Sequence, residues 1–222
     1  MARSPATFLL IALACGGLGA QERDSDTAAT AALQRLCERL KDMRTLSARI
    51  VQTRRTELLD KPIVSSGLMY YRREPARLVF HLSEPRKAEI HLDRNSYQVY
   101  RPDERRLERF DFGADSVPGM ILMVFEPKMA EIRKSFTIRG SALEVVLEPS
   151  DERARRRLKK IVLTISETDA ALKGITTTDA EGDDVRFDLS DVAINPDVAS
   201  SLFALQVPEG TRVLRQAVKP DK

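Results

Sequence analysis

Apolar side chains change their spacing once along the chain, and that change separates one helix from a long run of strands. Over residues 27–49, Leu33, Leu36, Cys37, Leu40, Met43 and Leu46 recur at steps of three and four, the stripe of an amphipathic helix. Arg35, Glu38, Arg39, Lys41 and Asp42 fill its other faces. From residue 48 the period moves towards two, which predicts strands with one buried face. Strands are expected at 48–58, 67–73, 76–83, 87–93, 96–101 and 105–112, and again at 135–140, 142–148, 158–166, 171–179, 183–194 and 203–214. Turn chemistry separates them, as at Lys61-Pro62, Glu74-Pro75, Glu84-Pro85, Asp93-Arg94-Asn95 and Glu181-Gly182-Asp183. Short strands at this even spacing predict a meandering antiparallel sheet, open or barrel-like. No shift of composition marks a boundary within it, so one domain is expected.

One segment breaks the alternation. Val117-Pro118-Gly119-Met120-Ile121-Leu122-Met123-Val124-Phe125 is the most apolar stretch outside the N-terminus, and it predicts a helix that stops near Glu126-Pro127. Apolar side chains all round such a helix demand contacts on more than one face. Two roles fit: a helix that plugs the core, or a lid over an apolar cavity. Met120, Met123 and Met129 suit the second, because methionine adapts its shape to flexible ligands.

The first twenty residues read as a targeting signal. Arg3 precedes an apolar run at 8–14 and small residues at 15–20, the order of a secretory signal peptide cleaved after Ala20. That run is shorter than the about 20 apolar residues of a spanning helix. Ala12-Leu13-Ala14-Cys15 also reads as a lipobox, in which Cys15 would be acylated. Both readings carry residues 21–222 across a membrane as a single domain. Both also leave Cys37 as the lone free thiol, a small residue on the helix stripe with no disulfide partner.

Composition narrows the function class. Lys+Arg number 36 against Asp+Glu 33, and aromatic residues are 5% with no Trp. The clustered charge and stacking rings of a nucleic-acid surface are missing, so no nucleic-acid partner is expected. The basic stretch 151–160, with Arg153, Arg155, Arg156 and Arg157, reads as a solvated hairpin tip. Gly-x-Ser-x-Gly, a Gly-rich phosphate loop, His-Glu-x-x-His and Cys-x-x-Cys are all absent. No carboxylate pair stands out, so no catalytic residue and no cofactor is expected. The two histidines, His81 and His91, fall on neighbouring predicted strands and could approach each other. With no nearby Cys and no clear third ligand, no metal site is expected. The sequence favours a binding protein over an enzyme.

After the leader and the helix come Ala48-Arg49-Ile50-Val51-Gln52-Thr53 and Gly67-Leu68-Met69-Tyr70-Tyr71-Arg72-Arg73-Glu74-Pro75. Arg77-Leu78-Val79-Phe80-His81-Leu82 and Tyr97-Gln98-Val99-Tyr100-Arg101-Pro102 follow, then the apolar segment 117–125. Phe203-Ala204-Leu205-Gln206-Val207-Pro208-Glu209-Gly210-Thr211-Arg212-Val213 closes the series. In this order, over 28–214, the chain resembles the LolA family, periplasmic carriers that move lipoproteins from the inner to the outer membrane of Gram-negative bacteria. The resemblance implies a mainly β fold, an open, incomplete antiparallel β-barrel (a half-barrel) covered by a helical lid. It implies a periplasmic carrier with no enzyme activity, whose apolar concave face holds lipoprotein acyl chains or another acyl lipid. An inner-membrane exporter would load it and an outer-membrane acceptor would unload it, and carrier logic favours a monomer. The alternative on the same fold is a Cys15-acylated acceptor or envelope sensor.

Two positions depart from the family pattern. Glu74 stands directly before Pro75, where the family often has an Arg that holds the lid closed, so Arg73 is the candidate latch. Family members tend to carry Trp in the cavity strands; here Tyr70, Tyr71, Phe80 and Tyr97 stand in that neighbourhood. Alternation puts forward Met69, Tyr71, Leu78, Phe80, Ile90, Val99, Phe112, Val145, Leu147, Leu163 and Phe187 as the lipid-binding lining. Val117, Met120, Ile121, Val124 and Phe125 are the lid candidates. A register slip of one residue would turn every one of the strand positions to the opposite face.

Overall fold

The computed structural model describes residues 18–111 and 117–217. Helix α1 (Leu18–Leu40) buries Ala29, Ala32, Leu33, Leu36 and Leu40 along one stripe. It starts earlier and stops earlier than the spacing predicts. Met43 and Leu46 do continue the apolar series, but a turn after Leu40 delivers them to the core, and Leu46 already lies in β1 (Thr45–Arg55). The expected leader therefore overlaps α1 at residues 18–20, while residues 1–17, Cys15 included, lie outside the described residues.

Five strands follow β1: β2 (Ile63–Arg72), β3 (Arg77–Glu84), β4 (Ala88–Leu92), β5 (Ser96–Arg101) and β6 (Arg106–Asp111). Two short helices come next, α2 (Val117–Met123) and α3 (Met129–Ser135), separated at Glu126-Pro127 as the sequence predicts. Then come β7 (Phe136–Gly140), β8 (Glu144–Pro149), the single turn α4 (Glu152–Arg155), β9 (Leu158–Ile165), β10 (Leu172–Asp179), β11 (Asp184–Ile194) and β12 (Arg212–Ala217). The basic stretch expected to be a hairpin tip does join the antiparallel pair β8 and β9, and it does so as an exposed helical turn. Asp151 caps it, accepting hydrogen bonds from the Arg153 and Ala154 amides at 2.9 and 3.0 Å. No helix among the described residues is long and apolar enough to cross a membrane.

Among the described residues the strands form one sheet in the order β12-β6-β5-β4-β3-β2-β1-β11-β10-β9-β8-β7. Its ends do not meet, so the barrel stays open. Neighbours are antiparallel except β12, which runs parallel to β6. Strand β1 sits mid-sheet, pairing with β2 on one side and β11 on the other.

The last predicted strand, 203–214, is the main correction. Strand β12 begins only at Arg212, and Ser200–Phe203 is a 3-10 turn on the outer face against β3. Phe203 is buried there, with the Arg72 guanidinium 4.7 Å from its ring and Arg77 Nη1 donating to its carbonyl at 2.9 Å. An apolar residue on an alternating segment reads as strand whether it pairs with a neighbour or straps across one.

Candidate functional site: the concave face and its helical cover

Side chains alternate across each strand, and the inward set builds the concave face. Met69 and Tyr71 of β2, Leu78 and Phe80 of β3, Ile90 of β4 and Val99 of β5 are buried in one apolar cluster. Val145 and Leu147 of β8 and Leu163 of β9 join it from the other half of the sheet, and Phe187 of β11 packs against it half-buried. Phe112 lies outside the described residues. Curvature brings the halves together. Strands β3 and β11 are three steps apart, roughly 14 Å at ordinary strand spacing, yet the Phe80 and Phe187 rings stack at 5.0 Å.

Helices fill the concavity. Leu33 and Leu36 of α1 are fully buried against the sheet, as are Leu122 of α2 and Phe125 just beyond it. Val124 and Ile132 are buried too, while Met120, Ile121 and Met123 pack half-buried against the cluster. Val117 opens α2, and its side chain lies outside the described set. Between Leu33, Met123, Ile132, Leu147 and Leu163 a cavity of only about 10 Å³ remains, room for about one water molecule. The helices thus leave little free space between these residues.

Polar contacts meet at Glu126, just beyond α2. The Tyr71 hydroxyl donates to Glu126 Oε1 at 2.7 Å, and Arg94 Nη2 donates to Glu126 Oε2 at 2.7 Å. The Tyr71 and Phe125 rings stack beside this contact at 5.1 Å. Burial and the Glu126 carboxylate both push the Tyr71 phenol above its ordinary range, so it stays a donor. Arg73 does something else. Its Nη1 and Nη2 donate to the Lys41 and Leu40 carbonyls at 2.6 and 2.7 Å, where α1 ends. These groups lack partners within the helix, and a guanidinium satisfies them well. Arg73 also lies beside the Tyr71 hydroxyl, where its charge opposes part of that upward push. Glu126 and Arg94 were missed in sequence because a turn glutamate and a turn arginine look solvated.

Cys37 is half-buried, and burial pushes its thiol up to about 11, the opposite of an activated nucleophile.

The outer face carries a second cluster. His81 faces Glu89 in the β3–β4 ladder, and His91 lies two residues from Glu89 on the same side. Burial, then the charges of His81 and Arg77, hold the His91 imidazole down at about 4, so it is neutral near pH 7. Glu89 is the third ligand-type residue that sequence reasoning lacked. A glutamate in a short strand gives no sign of which neighbour it will face. Here Gly67 shapes the backbone: an added Cβ would lie 2.1 Å from the His81 carbonyl oxygen, so glycine permits the close approach at the β2–β3 bulge.

No curated protein matches the chain. Among solved structures, an uncharacterized conserved protein from Thermus thermophilus is similar at 11% identity, covering 85% of this chain and 99% of its own, with a TM-score of 0.49. A LolA superfamily protein from Nitrosomonas europaea is similar at 12% identity, covering 80% and 98%, with a TM-score of 0.42. The lipoprotein LppX from Mycobacterium tuberculosis is similar at 11% identity, covering 79% and 99%, with a TM-score of 0.43. Residues 41–206, from the end of α1 through the outer-face strap, match the family described as outer membrane lipoprotein carrier protein LolA, and the chain belongs to that family.

Proposed function

We propose that this chain is a periplasmic carrier that takes up acyl chains of a lipoprotein, or of a related lipid, by exchanging them for its own helical cover. The observation that carries this reading is the concave face itself: an open half-barrel lined with apolar side chains and filled by helices rather than by its own strands. Membership of the LolA family supports it.

The energetics favour exchange. Lifting α2 and α3 exposes Leu122, Val124, Phe125 and Ile132, at about 1.5–3 kcal/mol each, so about 6–12 kcal/mol together. Burying about 14 methylenes of one long acyl chain returns about 11 kcal/mol. The two are of similar size. A carrier requires that near-balance, because a cargo held far more tightly than the cover would never be released. Loading by an inner-membrane exporter and release to an outer-membrane acceptor belong to this proposal, as does a monomer whose open edge reaches both. Cys15, on which an anchored alternative depends, is outside the described residues.

Native mass spectrometry of the mature protein from its own periplasm, with lipid extraction alongside, tests the reading. A bound lipoprotein or acyl lipid is expected. Folded protein that carries no lipid and fails to bind the fluorescent acyl probe cis-parinaric acid would overturn it.

A further inference from the structure

Behind the concave face, on the outer side of the same two strands, three ligand-type side chains converge. One ligand atom each from His81, Glu89 and His91 lies within 4.8 Å of the other two. The His91 side chain is 6% exposed, and neither of its ring nitrogens has a hydrogen-bond partner. His81 Nε2 is likewise buried without one. A buried polar atom left unpaired costs stability. Glu89 Oε2 stands 3.8 Å from His91 Nε2, too far for a hydrogen bond. An ion pair between those two would still leave His81 Nε2 and the second His91 nitrogen unanswered. The Tyr70 ring meets His81 edge-on at 5.6 Å and limits how that imidazole turns.

We propose that His81, Glu89 and His91 bind a divalent transition-metal ion, zinc foremost. Two imidazoles and one carboxylate are a donor set that zinc and its neighbours accept. The centre of three atoms 4.8 Å apart lies about 2.8 Å from each, and zinc bonds to nitrogen and oxygen are about 2.0–2.2 Å. Each side chain therefore closes in by about 0.8 Å at most, within reach of small rotations. The ion would have three protein ligands and an open side. His81 and Glu89 also line an outer groove of about 580 Å³, together with Arg49, Ser66, Lys87 and Ser190. The remaining coordination position faces that groove and takes water or a small anion from it. Nothing in this site depends on the acyl-chain reading.

The test uses the full chain without an affinity tag, stripped by chelator and titrated with zinc chloride in a calorimeter, with melting curves in parallel. One zinc per chain at micromolar affinity or tighter, and a raised melting temperature, are expected. His81→Asn, His91→Gln and Glu89→Gln should each weaken binding by about tenfold or more, and the double histidine variant should bind none. Cobalt(II) in place of zinc should give the visible absorption of a low-coordinate ion, lost in the double variant. Glu89→Gln keeps shape at a half-exposed position, so it decides the matter if a histidine variant does not fold. Wild type without heat or melting shift at millimolar zinc, or unchanged zinc affinity in Glu89→Gln, overturns the proposal.

Discussion

Removing the Tyr71 hydroxyl should loosen the helical cover while leaving its apolar packing in place. Tyr71→Phe keeps the ring that stacks on Phe125 at 5.1 Å. It deletes the 2.7 Å hydrogen bond to Glu126 Oε1. A hydrogen bond to a charged acceptor contributes about 1.5–3 kcal/mol. Glu126 keeps Arg94, but that arginine is 60% exposed and holds the carboxylate only weakly. The lower end, about 1.5 kcal/mol, is the better figure for the net loss, since Glu126 is partly solvated and water replaces some of the contact. A ligand that binds only the open form gains apparent affinity in proportion to the open fraction. About 1.5 kcal/mol therefore makes cis-parinaric acid bind about tenfold more tightly. Fluorescence titration of wild type and Tyr71→Phe measures the ratio, and melting curves report the stability of each. Equal or weaker probe binding in the variant, together with a lower melting temperature, would refute the reasoning and leave α2 and α3 as fixed parts of the core.

Three further outcomes follow from contacts described above. Gly67→Ala should destabilise the fold by about 2 kcal/mol or more, because the new Cβ meets backbone rather than a yielding side chain; an unchanged urea midpoint would show that the bulge adapts freely. Arg73→Ala should speed hydrogen exchange in the last turn of α1 by uncovering the Leu40 and Lys41 carbonyls, and a larger effect at α2 would instead make Arg73 the latch. In metal-free protein, burial first, then the charges of His81 and Arg77, hold His91 down at about 4 against an ordinary value of 6.5, with the Glu89 carboxylate 3.8 Å away as the opposing charge beside it. The unfolded chain binds the extra proton first, so stability is complete above about pH 6.5 and falls as pH drops towards 4, by a total on the order of 2–3 kcal/mol. His91→Gln should flatten the melting profile over that interval, and a slope unchanged by the substitution would place the titration elsewhere.

Much of this arrangement was legible in the sequence because each strand keeps one apolar face. Leu78 and Phe80 beside His81, or Ile90 between Glu89 and His91, announce the strand, while the side that turns inward stayed open because Val79 on the other face is apolar and buried as well. The break at Glu126-Pro127 was equally plain, since proline ends what the apolar run begins. Contacts made by distant residues were not legible. Phe203 reads as a strand residue because burial under a strap and burial in a sheet select the same side chain. Arg73 has the same charge whether it serves a lid or the end of α1. The concavity was expected to be lined by strands, yet Leu33 and Leu36 of α1 occupy much of it. A helical stripe says that a face is buried, without saying against which surface.

The central position of β1 governs how the molecule comes together. Strand β1 pairs on one side with β2, its neighbour in sequence. On the other side it pairs with β11, where Leu46 meets Ile194 and Gln52 meets Phe187. That seam joins the two halves of the sheet, and it closes a loop containing most of the chain. Closing so long a loop costs chain entropy before any contact repays it, and sheets built from distant pairings fold on the slow scale of milliseconds to seconds. Until β11 arrives, β1 pairs only with β2 and its other edge stays open. The last strand of the seam to be synthesised therefore decides when the two halves can join into one sheet.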